Sequence, residues 1–127
     1  MTVRVVLADD QALLRKGFRM ILEAEDGIEI VGEAADGSDA VRLVELYAPD
    51  VVLMDVRMPV MDGVEATRAI RQLDGPKRLI PVIGLTANAT PEDAARCFAA
   101  GMDDHMIKPV DRATLIDAVA RWSTIKV

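Results

Sequence analysis

The sequence predicts a doubly wound α/β domain: a five-stranded parallel sheet held between helices in a three-layer sandwich. Three observations predict it. Short apolar runs bounded by turn residues recur at Val3–Ala8, Ile28–Glu33, Val51–Met54, Ile80–Leu85 and His105–Ile107. Stretches with apolar residues at helical spacing separate them, so strands and helices alternate. The central run, Val51-Val52-Leu53-Met54, is apolar without alternation, as in a parallel strand covered on both faces. Right-handed crossovers then lay helices on both sides of the sheet.

Each element has its own signal. Val3–Ala8 forms a buried first strand that ends in Asp9-Asp10. A helix follows from about Gln11 to Glu25, with Leu14, Phe18, Ile21 and Leu22 on its core face and Asp26-Gly27 as its stop. In the second strand, Ile28, Ile30 and Gly32 alternate with Glu29, Val31 and Glu33, which suggests an edge position. Asp36-Gly37-Ser38 opens a second helix, with Val41, Val44 and Tyr47 or Ala48 facing inward, and Pro49-Asp50 ends it. The third strand, Val51–Asp55, ends in a carboxylate. Asp62 and Glu65 have capping-box spacing, so a third helix runs from Gly63 to about Asp74-Gly75.

Ile80–Leu85 is the fourth strand, with Pro81 near its start and Thr86 at its exit. Thr90-Pro91-Glu92-Asp93 starts a fourth helix with a capping hydroxyl, proline at the first position and acid in the first turn; Gly101 closes it. His105–Ile107 is a short fifth strand leading to Lys108-Pro109. Asp111 caps a last helix running to about Trp122, with Leu115, Val119 and Trp122 on one stripe.

Composition narrows the function. A chain of 127 residues has single-domain length, so residues 1–127 are expected to form one domain. A net charge of −6 argues against direct nucleic-acid binding, which needs clustered Lys and Arg. The one cysteine, Cys97, offers neither a disulfide framework nor metal-site spacing, and is expected in the core with Phe98. Neither a charged apolar leader nor a run of 18 apolar residues occurs, so a cytoplasmic domain without membrane attachment is expected.

The chemistry gathers where the strands end. In a parallel sheet the carboxyl ends share one edge, and ligands bind there. That edge would receive Asp9 and Asp10 from the first strand, Asp55 from the third, Thr86 from the fourth and Lys108 from the fifth. Two like charges about 4 Å apart repel by roughly 4 kcal/mol at the effective dielectric of a protein surface, too much for a purely structural role. A hard divalent cation offsets that cost, and Mg²⁺ prefers one or two carboxylates plus phosphate oxygens, with Mn²⁺ as the alternative ion. Asp10 and Asp55 are the expected direct ligands, with the Arg57 backbone carbonyl as a third and Asp9 acting through water. Lys108 is the second compensating charge. Asp55 is then placed to attack phosphorus as a carboxylate nucleophile. Taken singly, each of these residues is better explained as a strand-end cap on a solvated rim; the set of five at strand exits is not.

The ordered set resembles the receiver domain of two-component response regulators along essentially the whole chain. The resemblance rests on Asp9-Asp10, on Asp55 with Met58-Pro59 and Met61-Asp62-Gly63 beyond it, on Thr86-Ala87 and on Lys108-Pro109. It implies a flavodoxin-like sheet of strand order 2-1-3-4-5 and a cis Lys108-Pro109 bond. It also implies that Asp55 accepts a phosphoryl group from a phosphohistidine on a sensor histidine kinase or a histidine phosphotransfer protein, with Thr86 and Lys108 binding the phosphoryl oxygens. Such a domain is a signalling phosphoacceptor that catalyses only its own phosphorylation and dephosphorylation. Its output passes through a partner or an effector domain outside these residues, from a monomer or a weak, phosphorylation-dependent homodimer. The first half of the chain is more like receivers joined to DNA-binding domains, the second more like receivers of hybrid sensor kinases.

By the same resemblance, Thr86 swings toward the phosphoryl group and an aromatic residue three before the lysine fills the space it leaves, repacking the face of the fourth helix, fifth strand and fifth helix. Here that position is His105, a departure from the pattern, which reads equally as an edge-strand side chain facing water. Arg57, Ala87 and Asn88 would rim the pocket. Leu13, Gly17 and Met20 make a second apolar stripe on the first helix, either a docking patch or part of a wide buried face.

Three rivals remain at this point. An acid-nucleophile phosphatase usually carries a second Asp two residues on, where this chain has Arg57. A flavin module would want a Ser/Thr/Gly phosphate loop in place of Asp9-Asp10. A receiver-like interaction module that has lost phosphorylation would not need the acidic set.

Overall fold

The computed structural model describes residues 2–87 and 90–125. The strands are β1 (Val3–Ala8), β2 (Ile28–Ala34), β3 (Val51–Asp55), β4 (Val82–Thr86) and β5 (Asp104–Ile107). The helices are α1 (Ala12–Glu23), α2 (Gly37–Tyr47), α3 (Gly63–Arg71), α4 (Pro91–Ala99) and α5 (Arg112–Ile125), with a 3₁₀ turn over Gly75–Leu79. The sheet is parallel in the order β2-β1-β3-β4-β5, so the two strands that bear Asp9-Asp10 and Asp55 are neighbours.

Two apolar layers sandwich the sheet. On one side Phe18 and Leu22 of α1 and Leu115, Ala118 and Val119 of α5 pack on Val5, Leu7, Leu53, Ile83 and Leu85. On the other, Ala40, Leu43 and Val44 of α2, Ala66 and Ile70 of α3 and Cys97 of α4 pack on Val6, Val52, Met54 and Val82. Every residue of β3 and β4 is buried, as continuous apolar runs require.

Helix boundaries follow their caps. Asp36 accepts the Asp39 N–H and starts α2. Asp62 and Glu65 close a full capping box on α3, and Thr90 accepts the Asp93 N–H at α4. Asp111 accepts the Thr114 N–H at 2.7 Å at the start of α5.

Five sequence expectations are corrected. α1 ends at Glu23, two residues early, and Gly27 takes the left-handed conformation in the turn beyond, at φ 88°. β2 is an edge strand, but its alternation breaks. The pairing slips between Val5 and Val6, matching Val5 with Ile30 and Val6 with Gly32, so Val31 is an extra residue. Ile28 and Ile30 face the α1/α5 layer, whereas Gly32 meets Leu43 of α2 and Ala34 joins the α2/α3 layer. Tyr47 is exposed, and Ala40 and Leu43 take the inward positions on α2. Phe98 is half exposed; of the Cys97-Phe98 pair only Cys97 is core. The stripe of Leu13, Gly17 and Met20 is not part of a buried face, since Leu13 is 84% and Met20 64% exposed.

Candidate functional site

The carboxyl edge of the sheet carries a polar cavity of about 220 Å³ lined by Asp10, Gln11, Asp55, Val56, Arg57, Thr86, Ala87 and Lys108. Four separate strand exits supply it, as parallel topology demands. Asp9 lies behind this wall, fully buried. Its carboxylate accepts the Gln11 N–H at 2.9 Å and the Lys108 ammonium at 3.0 Å. The same Lys108 Nζ stands 3.3 Å from Asp55. One cation from the end of β5 therefore serves two buried acids from β1 and β3.

Asp55 is nearly buried, and burial first, then the Asp9 charge, push its carboxyl up to about 6. Lys108 and the Arg57 N–H, which donates to this carboxylate, draw it partly back. Oxygens of Asp9, Asp10 and Asp55 lie within 4.8 Å of one another. Three acids with one lysine between them leave excess negative charge, and a small hard cation with oxygen ligands fits that donor set.

The loop after β3 is braced from below. Gly63 donates to the Val56 carbonyl at 2.9 Å, and a Cβ at this position would sit 2.2 Å from the Asp55 carbonyl oxygen. Only glycine lets α3 begin so close under Asp55. Gly37 does the same from α2, donating to the Met61 carbonyl at 2.8 Å. Between these anchors Met61 N–H bonds the Pro59 carbonyl around Val60, a γ-turn with Val60 at φ 67°.

Of the residues expected here, Asp10, Asp55, Arg57, Thr86, Ala87 and Lys108 meet at the cavity, and Asp9 supports it from behind. Thr86 is buried, and Ala87 is exposed at the mouth. Asn88 lies outside the described residues. His105 is on the same face of the sheet as Gly84, packed edge-on against Phe98 of α4 with ring centroids 5.4 Å apart. It does not simply face water: its Nδ1 is buried with no hydrogen-bond partner among the described residues. The Lys108-Pro109 peptide is cis. Gln11 was not anticipated as a wall of the cavity, although its place directly after Asp10 was the available signal.

Residues 5–120 match the family described as the response regulator receiver domain. The chain belongs to this family. The receiver is 42% identical over 116 residues to the transcriptional regulatory protein PdtaR of Mycobacterium tuberculosis, covering 91% of this chain and 54% of that protein. It thus spans about half the length of that relative. Its fold superposes on the receiver domain of the response regulator NarL from the same organism with a TM-score of 0.91, at 32% identity and 97% coverage of both chains. The receiver domain of sensor histidine kinase PA1611 from Pseudomonas aeruginosa gives a TM-score of 0.88 at 37% identity, covering 98% of this chain and 99% of that one; it carries a magnesium ion in its active-site cleft. These similarities establish a signalling domain of two-component systems with the strand order 2-1-3-4-5.

Proposed function

We propose that this receiver takes a phosphoryl group onto Asp55 from a phosphohistidine of a partner kinase or phosphotransfer protein, in a reaction that needs Mg²⁺ or Mn²⁺. The observation that carries this reading is a single one: Asp55, alone at the exit of the central strand, is a buried carboxylate pushed up to about 6 and facing a cavity that another acid and a lysine share.

An Asp55 oxygen attacks phosphorus, the phosphorus–nitrogen bond of the donor breaks, and its electron pair stays on the departing imidazole. Asp10, Asp55 and the Arg57 carbonyl would hold the metal, with Asp9 reaching it through water. A bound divalent ion supplies neutralisation of phosphoryl charge. Lys108, already 3.3 Å from Asp55, pairs with a phosphoryl oxygen once the carboxylate has become an acyl phosphate. Thr86, at the cavity wall, gives its hydroxyl to another. Arg57 and Ala87 at the opening, together with Asn88 by the receiver pattern, govern water access. The Thr86 movement is then read at His105 and Phe98, on the face formed by α4, β5 and α5.

The 127 residues act as one receiver, and output leaves through a partner or an effector domain outside them. The deciding experiment is intact-mass measurement after incubation with acetyl phosphate. With Mg²⁺ the chain is expected to gain the mass of one phosphoryl group. It should gain none in EDTA, and none when Asp55→Ala is treated identically. A native chain that gains no mass with any donor overturns the reading.

A further inference from the structure

We propose that Arg15 is a positioning residue for the metal site, acting through the peptide bond that joins Asp9 to Asp10. The proposal rests on the metal-dependent reading above.

The Asp10 side chain has no anchor of its own, although the Asp9 carboxylate holds the Gln11 N–H just beyond it at 2.9 Å. The Asp10 carboxylate is exposed and makes no hydrogen bond or ion pair among the described residues. Its direction is therefore inherited from the backbone that carries it. That backbone is held on both sides of Asp9. The Asp9 N–H donates to the Ala34 carbonyl of β2 at 3.0 Å. The Asp9 carbonyl, which belongs to the Asp9–Asp10 peptide, accepts the Arg15 Nη1 at 2.6 Å. Arg15 Nε in turn donates to Glu33 at 3.1 Å, and Glu33 directly precedes Ala34. The contacts form a closed ring: Asp9 to Arg15, Arg15 to Glu33, Glu33 along the chain to Ala34, and Ala34 back to Asp9.

A planar guanidinium with two fixed partners has its orientation set, and a charge-assisted bond to a carbonyl resists rotation of that peptide plane. Arg15 and Glu33 side chains are only 21% and 26% exposed, so solvent screens the pair less than an open surface bridge. Partners of this kind, one step removed from the ion, set metal affinity strongly: their loss commonly weakens binding by about 10-fold or more.

Three roles for Arg15 give different signs. A cation acting only by its charge repels a divalent ion, so removing it tightens binding. A residue acting only as a structural staple lowers the melting temperature and leaves the affinity of the folded protein unchanged. A positioning residue weakens binding when it is removed, and a lysine that keeps the charge but cannot bridge both acceptors weakens it too.

The test is Mn²⁺ titration of the full chain, followed by water-proton relaxation well below the melting temperature, with Asp10→Asn setting the background. Arg15→Met is expected to raise the Mn²⁺ Kd by about 10-fold, and Arg15→Lys by a smaller factor in the same direction. Arg15→Lys decides the matter if the methionine variant does not fold. Unchanged or tighter Mn²⁺ binding in the folded variants, beside normal binding by the native chain, overturns the role of Arg15 alone. A native chain that binds no Mn²⁺ overturns the metal site and the clamp together.

Discussion

At the scale of single residues, the buried carboxylate of Asp55 works against stability. Its carboxyl is raised by burial and by Asp9, from an ordinary value of 3.8 to about 6. The folded state therefore binds a proton more tightly than the unfolded chain does. The stability associated with protonated Asp55 is fully present below about pH 4 and is lost as pH rises through 6. At 1.36 kcal/mol per pH unit the ionised form costs the metal-free fold roughly 3 kcal/mol at neutral pH. Asp55→Asn, which keeps shape without charge, is expected to be more stable than the native chain by about 2–3 kcal/mol in urea denaturation at pH 7.5 in EDTA. The gap should close below pH 4. A gap that stays constant with pH would show that Asp55 is not desolvated as the structure has it. Much of this site was legible from residue order, because a parallel sheet brings strand exits to one edge whatever their separation in sequence. The complete burial of Asp9 was not legible. It depends on Lys108 lying between two acids, and spacing along the chain does not encode that distance.

At the scale of elements, two features make testable claims. The γ-turn after β3 holds Val60, a β-branched residue, at φ 67° while leaving it 85% exposed. The left-handed region costs an L-residue roughly 1–2 kcal/mol, and no packing repays it here. Val60→Gly is expected to raise stability by about 0.5–1 kcal/mol, after the extra freedom of glycine in the unfolded chain is counted. Equilibrium unfolding would detect it, and a loss of stability would refute the strain. At the opposite end of the sheet Arg71 of α3 donates to the carbonyls of Gly101, Arg78 and Ile80 and to Asp103, at 2.7 to 3.0 Å. One guanidinium thus ties α3 to the segments that enter β4 and β5. Arg71→Met, which retains the aliphatic stem, should cost about 3 kcal/mol by loss of those bonds. Element type was readable from apolar period and caps: Asp62 with Glu65 fixed the start of α3 correctly. The break in β2 was not. A single extra residue such as Val31 changes which layer Gly32 and Ala34 face while leaving composition and turn signals as they were.

At the scale of the whole molecule, an ion held by the Asp9, Asp10 and Asp55 cluster would be linked to the fold through mass action. An ion that binds only the folded chain stabilises it by about 2.7 kcal/mol at roughly 100 times its Kd. Saturating Mg²⁺ is expected to raise the melting temperature by several degrees, and Asp10→Asn should abolish the rise without lowering the metal-free melting temperature, because it removes one of three crowded negative charges. The architecture was readable before any coordinate: the continuous run Val51–Met54 required cover on both faces, and β3 is buried throughout. Surface detail was less so, since Phe98 and Tyr47 are apolar in composition yet exposed, and no periodicity marks them as such.

Lys108 reaches Asp9 across 99 positions, from the last strand to the first. A nascent chain emerging from the ribosome has both buried acids long before it has the lysine that neutralises them. Until β5 docks, the β1 and β3 ends repel each other and Asp55 has no ammonium partner. A copy that stops before β5 would hold those acids without their counter-charge, and the reaction proposed at Asp55 would fail in it.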